Sequence, residues 1–330
     1  MAKAAAPFSL LRVSPAPILI LVGIVLGQAF FAWSNRRVAA NKQPLLAMEV
    51  LGSKEEKSAV VAFLVAGSLS LAVGFLIPLY VQIGQGRTPL ASAVAILPYA
   101  VAIAAAGVLS VRLYDRFSPR SLGVASFILI AIGLVIVAIT IGNDWSTVAV
   151  IVGLLLVGIS EGTLLTLLFN VLVSASPKRL AGDVGALRGV ANNVSNALGA
   201  AFASVVAVGL LGVFLASAYS RSELPHDVET RAVSGTVDFI SDNELRSALS
   251  ASTATPEQVD KAVAINEDAG LRALRASFLI VGAISLLAIF PASRLPSYVP
   301  GELSAEDIIS EAGAGKKDAS AVPRPARPNR

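Results

Sequence analysis

Seven stretches of this chain are almost free of charge: residues 13–35, 58–86, 88–111, 121–143, 145–177, 189–220 and 276–293. Only the fifth is interrupted, once, by Glu161. Charged residues collect between the stretches and in the tail instead of alternating within them. A helix needs about 20 consecutive apolar residues to cross the hydrocarbon core of a bilayer. Helices and closed barrels alone satisfy their own backbone there. Buried helices of soluble proteins are rarely this long or this numerous. The pattern predicts an all-α integral membrane protein with seven transmembrane helices.

Composition agrees. Of 330 residues, 55% are hydrophobic and 15% charged, against roughly 25% charged in soluble domains. There is no cysteine and one histidine, no glycine-rich phosphate loop and no grouping of metal ligands, so neither an enzyme nor a bound metal or cofactor is expected. The net charge of +4 is modest and forms no stripe, which argues against nucleic acid. A retinal protein would need a lysine inside an apolar run, and every lysine lies outside them. His226, in the longest loop, reads as a solvated residue.

Lysine and arginine set the expected orientation. They are concentrated in segments 35–57, 112–120 and 177–189 and in the tail from Arg294, which are therefore assigned to the cytoplasmic side of the inner membrane. The N-terminus then lies outside and the C-terminus inside. Residues 1–15 form an outside extension. Residues 16–58 form a linker helix and a cytoplasmic loop. Residues 59–293 form a six-helix unit with an extracytoplasmic loop at 220–275, and 294–330 a disordered cytoplasmic tail. No small-residue cleavage site follows the first run; "FFAWSNRR" does, so that run is read as an anchor helix. An odd helix count with an outside start implies a chain that begins partway through a larger architecture. Within the long loop, Ser241 and Glu244 have capping-box spacing, and so do Thr255 and Gln258 with Pro256 at the first helical position. Two short helices are predicted there, the second leading into the last crossing.

The most charged short turn is "RLYDRFSPR", residues 112–120, which resembles the signature of the major facilitator superfamily at Leu113, Asp115, Arg116 and Arg120, with Val111 and Ser118 where the signature has glycine. "PLYVQIGQGRTPLASAVAILPYA", "WSNRR" followed by "QPLL", "AGDVGALRGVANNVSNALGAAFA" and "INEDAGLRALRASFLI" resemble the back half, helices eight to fourteen, of its fourteen-helix drug/proton antiporters. The resemblance implies a linker helix plus a six-helix C-terminal bundle of two inverted three-helix repeats. It implies secondary active efflux of amphipathic or cationic compounds by proton antiport, with lipid, substrate, protons and a separate N-terminal half as partners. It also implies that Arg112, Leu113, Asp115, Arg116 and Arg120 gate the cytoplasmic face. Asn192 and Asn193 stand where these antiporters carry arginine-glutamine, and Ser195 and Asn196 replace a glycine pair. The competing reading is a non-transporting or truncated subunit that needs a partner half.

Glu161 is the candidate for proton or cation coupling. An ionisable group at the bilayer centre is costly and is a functional hypothesis by default. It is satisfied if it holds a proton, if a cation from another domain pairs with it, or if a cationic substrate does. Gly158 and Gly162 permit a close helix neighbour, so a neutral acid bonded to a packed helix is the alternative. At 100° per residue, Glu161 shares a face with Leu154, Leu165, Leu168 and Leu172, while Thr163, Thr166 and Asn170 lie opposite. These three, with Asn192, Asn193 and Asn196, are candidates for lining a cavity or packing helices. Asn192, Asn196, Gly199 and Ala203 fall on one face and suggest a helix-packing seam.

Overall fold

The computed structural model describes residues 16–40, 54–114, 116–142, 147–175, 181–222, 242–250 and 254–297. The described residues form helices joined by short turns, without strands. Seven helices are long and apolar enough to cross a membrane: α1 (Ala16–Ala39), α2 (Lys54–Leu79), α3 (Pro89–Tyr114), α4 (Pro119–Thr140), α5 (Val148–Ala175), α6 (Ala181–Tyr219) and α8 (Pro256–Leu287). Two short helices, α7 (Asp242–Ser250) and α9 (Ile289–Ala292), complete the set.

α1 stands apart. Its apolar residues from Ile18 to Leu26 are exposed on all sides, as suits a helix that meets lipid rather than protein. The other six crossings form one bundle around a continuous core that includes Phe127, Ile130, Leu134, Leu154, Leu164, Leu168 and Phe278. α5 packs on both α3 and α4, α6 on α2, α8 on both α4 and α6, and α2 on α5.

Small residues set the closest approaches, as expected where lipid supplies no hydrophobic drive between helices. A Cβ on Gly153 of α5 would sit 2.6 Å from Val137 Cγ2 and 2.9 Å from Gly133 O of α4. One on Gly158 would sit 2.5 Å from Tyr99 O of α3, and one on Gly199 of α6 2.5 Å from Ser68 O of α2. Polar cross-links reinforce the packing. Ser285 Oγ donates to Phe127 O at 2.7 Å. Arg275 donates through Nε and Nη2 to Ile141 O, at 3.2 and 2.7 Å, and so satisfies a carbonyl at the end of α4 that the helix leaves open.

α2 ends with Pro78 in its last turn and then widens into a π-helical segment, Tyr80–Gly84. Gly86, at φ 59°, takes the left-handed conformation that turns the chain into α3.

Of the two helices expected in the long loop, the first is α7, and the second is continuous with the last crossing instead of a separate short helix. Thr255 forms the anticipated capping box with Gln258, but the helix it starts continues unbroken to Leu287. Its first 20 residues are amphipathic, and they extend the bundle beyond the apolar run by ~30 Å at 1.5 Å per residue. There α6, α7 and α8 build a second core from Leu211, Leu215, Tyr219, Leu245, Leu249, Val259 and Val263. Tyr219 donates its hydroxyl to Ala262 O at 3.2 Å. Ser241 and the tail from 298 onward lie outside the described residues.

Candidate functional site

Glu161 sits midway along α5 and is fully buried. Gly158 and Gly162 bring α3 against this part of α5: a Cβ on Gly162 would lie 3.0 Å from Ala106 Cβ. That contact sets Tyr99, itself buried, beside the acid. The Tyr99 hydroxyl donates to Glu161 Oε2. Ser70 of α2 completes the group, its Oγ 3.0 Å from the Tyr99 hydroxyl. Glu161 Oε1 has no hydrogen-bond partner among the described residues. Three helices thus meet on one carboxyl group with one oxygen bonded and the other open. A carboxylate held by a neutral hydroxyl is equipped to gain and lose a proton, and the Tyr99 and Ser70 hydroxyls can reorient to suit either state.

Leu154, Leu168 and Leu172, on the acid's face, are buried with it. Thr163 and Thr166 direct their hydroxyls to their own helix, donating to Ile159 O at 2.9 Å and Gly162 O at 3.0 Å. Thr163 is buried, Thr166 half-buried and Asn170 exposed. The two faces therefore play different parts: the acid's face is core, and the stripe opens to the outside only at Asn170.

On α6 the packing seam lies one residue away from the asparagines. Ser195 and Gly199 abut α2, with Ser68 Oγ donating to Ser195 O at 3.1 Å and a Cβ on Gly67 only 2.7 Å from Ser195 Cβ. No amide side chain fits so narrow a gap. Asn192 and Asn193 are exposed and Asn196 is half-buried. Arg188, one turn before Asn192, is also exposed. Its guanidinium stacks on Phe169 of α5, 4.2 Å from the ring centre. Asn170, Arg188, Asn192 and Asn193 are thus exposed polar residues on the part of α5 and α6 that the Arg188–Phe169 stacking brings together.

The motif turn joins α3 to α4. Leu113 O accepts from Arg116 N at 3.2 Å and Phe117 N at 3.0 Å. Ser118 caps α4 by accepting from Ser121 N at 3.3 Å, with Pro119 in the first turn. Arg112, Arg116 and Arg120 are exposed and Leu113 is half-buried. Leu109, Arg112, Leu113, Arg116 and Phe117 line a shallow groove. The Arg120 backbone N–H donates to Pro296 O at 3.1 Å, which ties this turn to the segment after α9. Asp115 lies outside the described residues.

Tyr99, Ser70 and Arg188 escaped the sequence reading. A tyrosine or serine within an apolar run carries no charge to mark it, and Arg188 sits at the edge of a run, where it reads as a loop cation.

Among the described residues, seven apolar helices long enough to cross a bilayer, six of them packed around one core, define an integral membrane protein. The family model described as Major Facilitator Superfamily matches residues 6–200; the chain belongs to this superfamily. It is 23% identical over 202 residues to a probable actinorhodin transporter of Streptomyces coelicolor, covering 59% of this chain and 34% of that protein. It is 27% identical over 189 residues to the lincomycin resistance protein LmrB of Listeria innocua, covering 57% of this chain and 39% of the relative. LmrB of Listeria monocytogenes is 26% identical over the same length. The matched region thus spans between about a third and two-fifths of these relatives.

Proposed function

We propose that the chain is the C-terminal half of a secondary active exporter, and that it moves amphipathic compounds out of the cell in exchange for protons, with Glu161 as the coupling acid. The observation that carries this is Glu161 itself: fully buried, with one oxygen bonded to Tyr99 and the other open. A permanently charged acid in this position would be costly. A carrier uses that cost, since proton binding relieves it and proton loss restores it. The printed names of the relatives, a transporter and two resistance proteins, support the export reading. In this reading the fourteen-helix antiporter architecture holds, α1 is the linker helix, and the exposed polar group at Asn170, Arg188, Asn192 and Asn193 faces the transport path. A stacked arginine there favours cargo with an anionic or polar end over simple cations. Arg112, Leu113, Asp115, Arg116 and Arg120 gate the cytoplasmic side, with the N-terminus outside and the C-terminus inside.

The test is reconstitution of the 330-residue chain in liposomes under an imposed pH gradient, with a fluorescent amphipathic dye as cargo. Gradient-driven movement that disappears in Glu161→Gln is the expected result. Equal movement by Glu161→Gln would remove the acid from the mechanism. A folded chain that moves nothing favours the second reading, a subunit that works only with a partner half. That reading draws on the exposed apolar face of α6, at Val190, Val194, Leu198 and Val205.

A further inference from the structure

A second group of charges lies at the opposite end of the bundle from α7. Lys54 and Lys57 occupy the first turn of α2, and Arg294 lies two residues after α9. α9 packs on α2, and the three cations with Ser58 line one groove of about 600 Å³. Glu55 and Glu56 stand between the lysines in sequence, and Glu56 is buried away from the groove.

Three features single this group out from ordinary surface charge. The first is depth. The crossing in α2 begins at Glu56 and that in α8 and α9 ends at Ala292, so the cations stand where the apolar run gives way to the polar headgroup layer. The second is what lies one turn deeper. Val61 follows Lys57 by four residues and is 47% exposed; Phe290 precedes Arg294 by four and is 65% exposed. Cationic rim and apolar wall are continuous on both helices. The third is order. The Arg294 guanidinium stacks on Phe290, 4.1 Å from the ring centre, which holds a flexible side chain over the apolar wall.

We propose that this groove is a binding site for an anionic phospholipid. The headgroup phosphate is held between Lys54, Lys57 and Arg294, and the acyl chains run along Val61 and Phe290. Lysine serves phosphate as a point charge and arginine as a two-pronged donor. Basic residues at the membrane surface each add to the attraction for anionic lipid. The α2 N-terminus contributes the positive end of its dipole. Bound lipid would clamp the start of α2 to the segment after α9, the first and last parts of the six-helix bundle. The site is independent of the export reading.

Native mass spectrometry of the purified full chain, released from detergent with added phosphatidylglycerol or phosphatidylcholine, tests it. Retention of phosphatidylglycerol well above phosphatidylcholine is expected. Lys54→Gln/Lys57→Gln/Arg294→Gln should weaken that retention about a hundredfold, while Arg246→Gln, at the far end of the bundle, leaves it unchanged. Should the triple variant not fold, each single glutamine variant is expected to weaken retention and Arg294→Lys to keep most of it. Equal retention of both lipids, or undiminished retention in folded variants, overturns the proposal. So does full displacement of the lipid by millimolar inorganic phosphate, which would make this a site for soluble phosphate.

Discussion

Tyr99 and Glu161, 62 residues apart in sequence, meet through one hydrogen bond from phenol to carboxyl in the middle of the bundle. Both are buried, so neither finds water if the other is removed. Interhelical hydrogen bonds in membranes contribute about 0.6 kcal/mol on average and up to ~1.7. Tyr99→Phe should lower thermal stability in detergent by an amount in that range. A double-mutant cycle with Glu161→Gln should return a coupling energy of the same size. Strictly additive effects would show that the bond contributes nothing.

Gly158 is a stringent test of the α3–α5 contact. A methyl group there would lie 2.5 Å from Tyr99 O and 2.7 Å from Ala102 Cβ, so the helices must part. Gly158→Ala should destabilise by ~1–3 kcal/mol, the usual cost of overpacking. It should also weaken any activity that depends on Glu161, because Tyr99 moves with α3. Gly209→Ala, with open space around its Cβ, should be neutral or slightly stabilising. Parallel thermal melts of the two variants compare them directly.

Arg275 holds the end of α4 through two bonds to one carbonyl oxygen. A hydrogen bond that involves a charged group contributes about 1.5–3 kcal/mol. Arg275→Ala should lose stability in this range, and Arg275→Lys should recover part of it through one bond in place of two. Hydrogen exchange should rise at the C-terminal turn of α4 in Arg275→Ala and remain unchanged at its N-terminal turn.

Thr255 begins the long α8 with a reciprocal cap. Thr255→Ala should cost about 1 kcal/mol, expressed as faster proteolysis near residues 254–260. The crossing itself should stay protected, since its packing on α4 lies well away.

Much of this was legible before folding. Uncharged runs marked every crossing because lipid forbids charge along a whole helix, and a rule that strict leaves a plain trace. Glu161 stood out for the same reason, and Gly158 and Gly162 announced a close neighbour. Which neighbour was not legible. Tyr99 and Ser70 reach the acid only because α3 and α2 converge on α5, and nothing local to those residues encodes the convergence. On α6, periodicity identified the packing side to within a residue, but side-chain size chose Ser195 over Asn192 and Asn196. The Thr255 cap marked the start of α8, but hydropathy did not show its full length: its first part carries Lys261, Asp268, Arg272 and Arg275, and an amphipathic face against Tyr219 and Leu245 makes it one helix with the crossing.

α6 is 39 residues long and α8 continues past its apolar run, which makes the end that carries α7 a lever. Its fulcrum lies in the bilayer, and its arm is two helices joined by a core of their own. A small tilt of the crossing helices is enlarged in proportion to the length of that arm. A reporter on Ala248, exposed on α7, would sweep further than any residue within the bundle. The molecule thus carries its own pointer for motions too slight to be read where they originate.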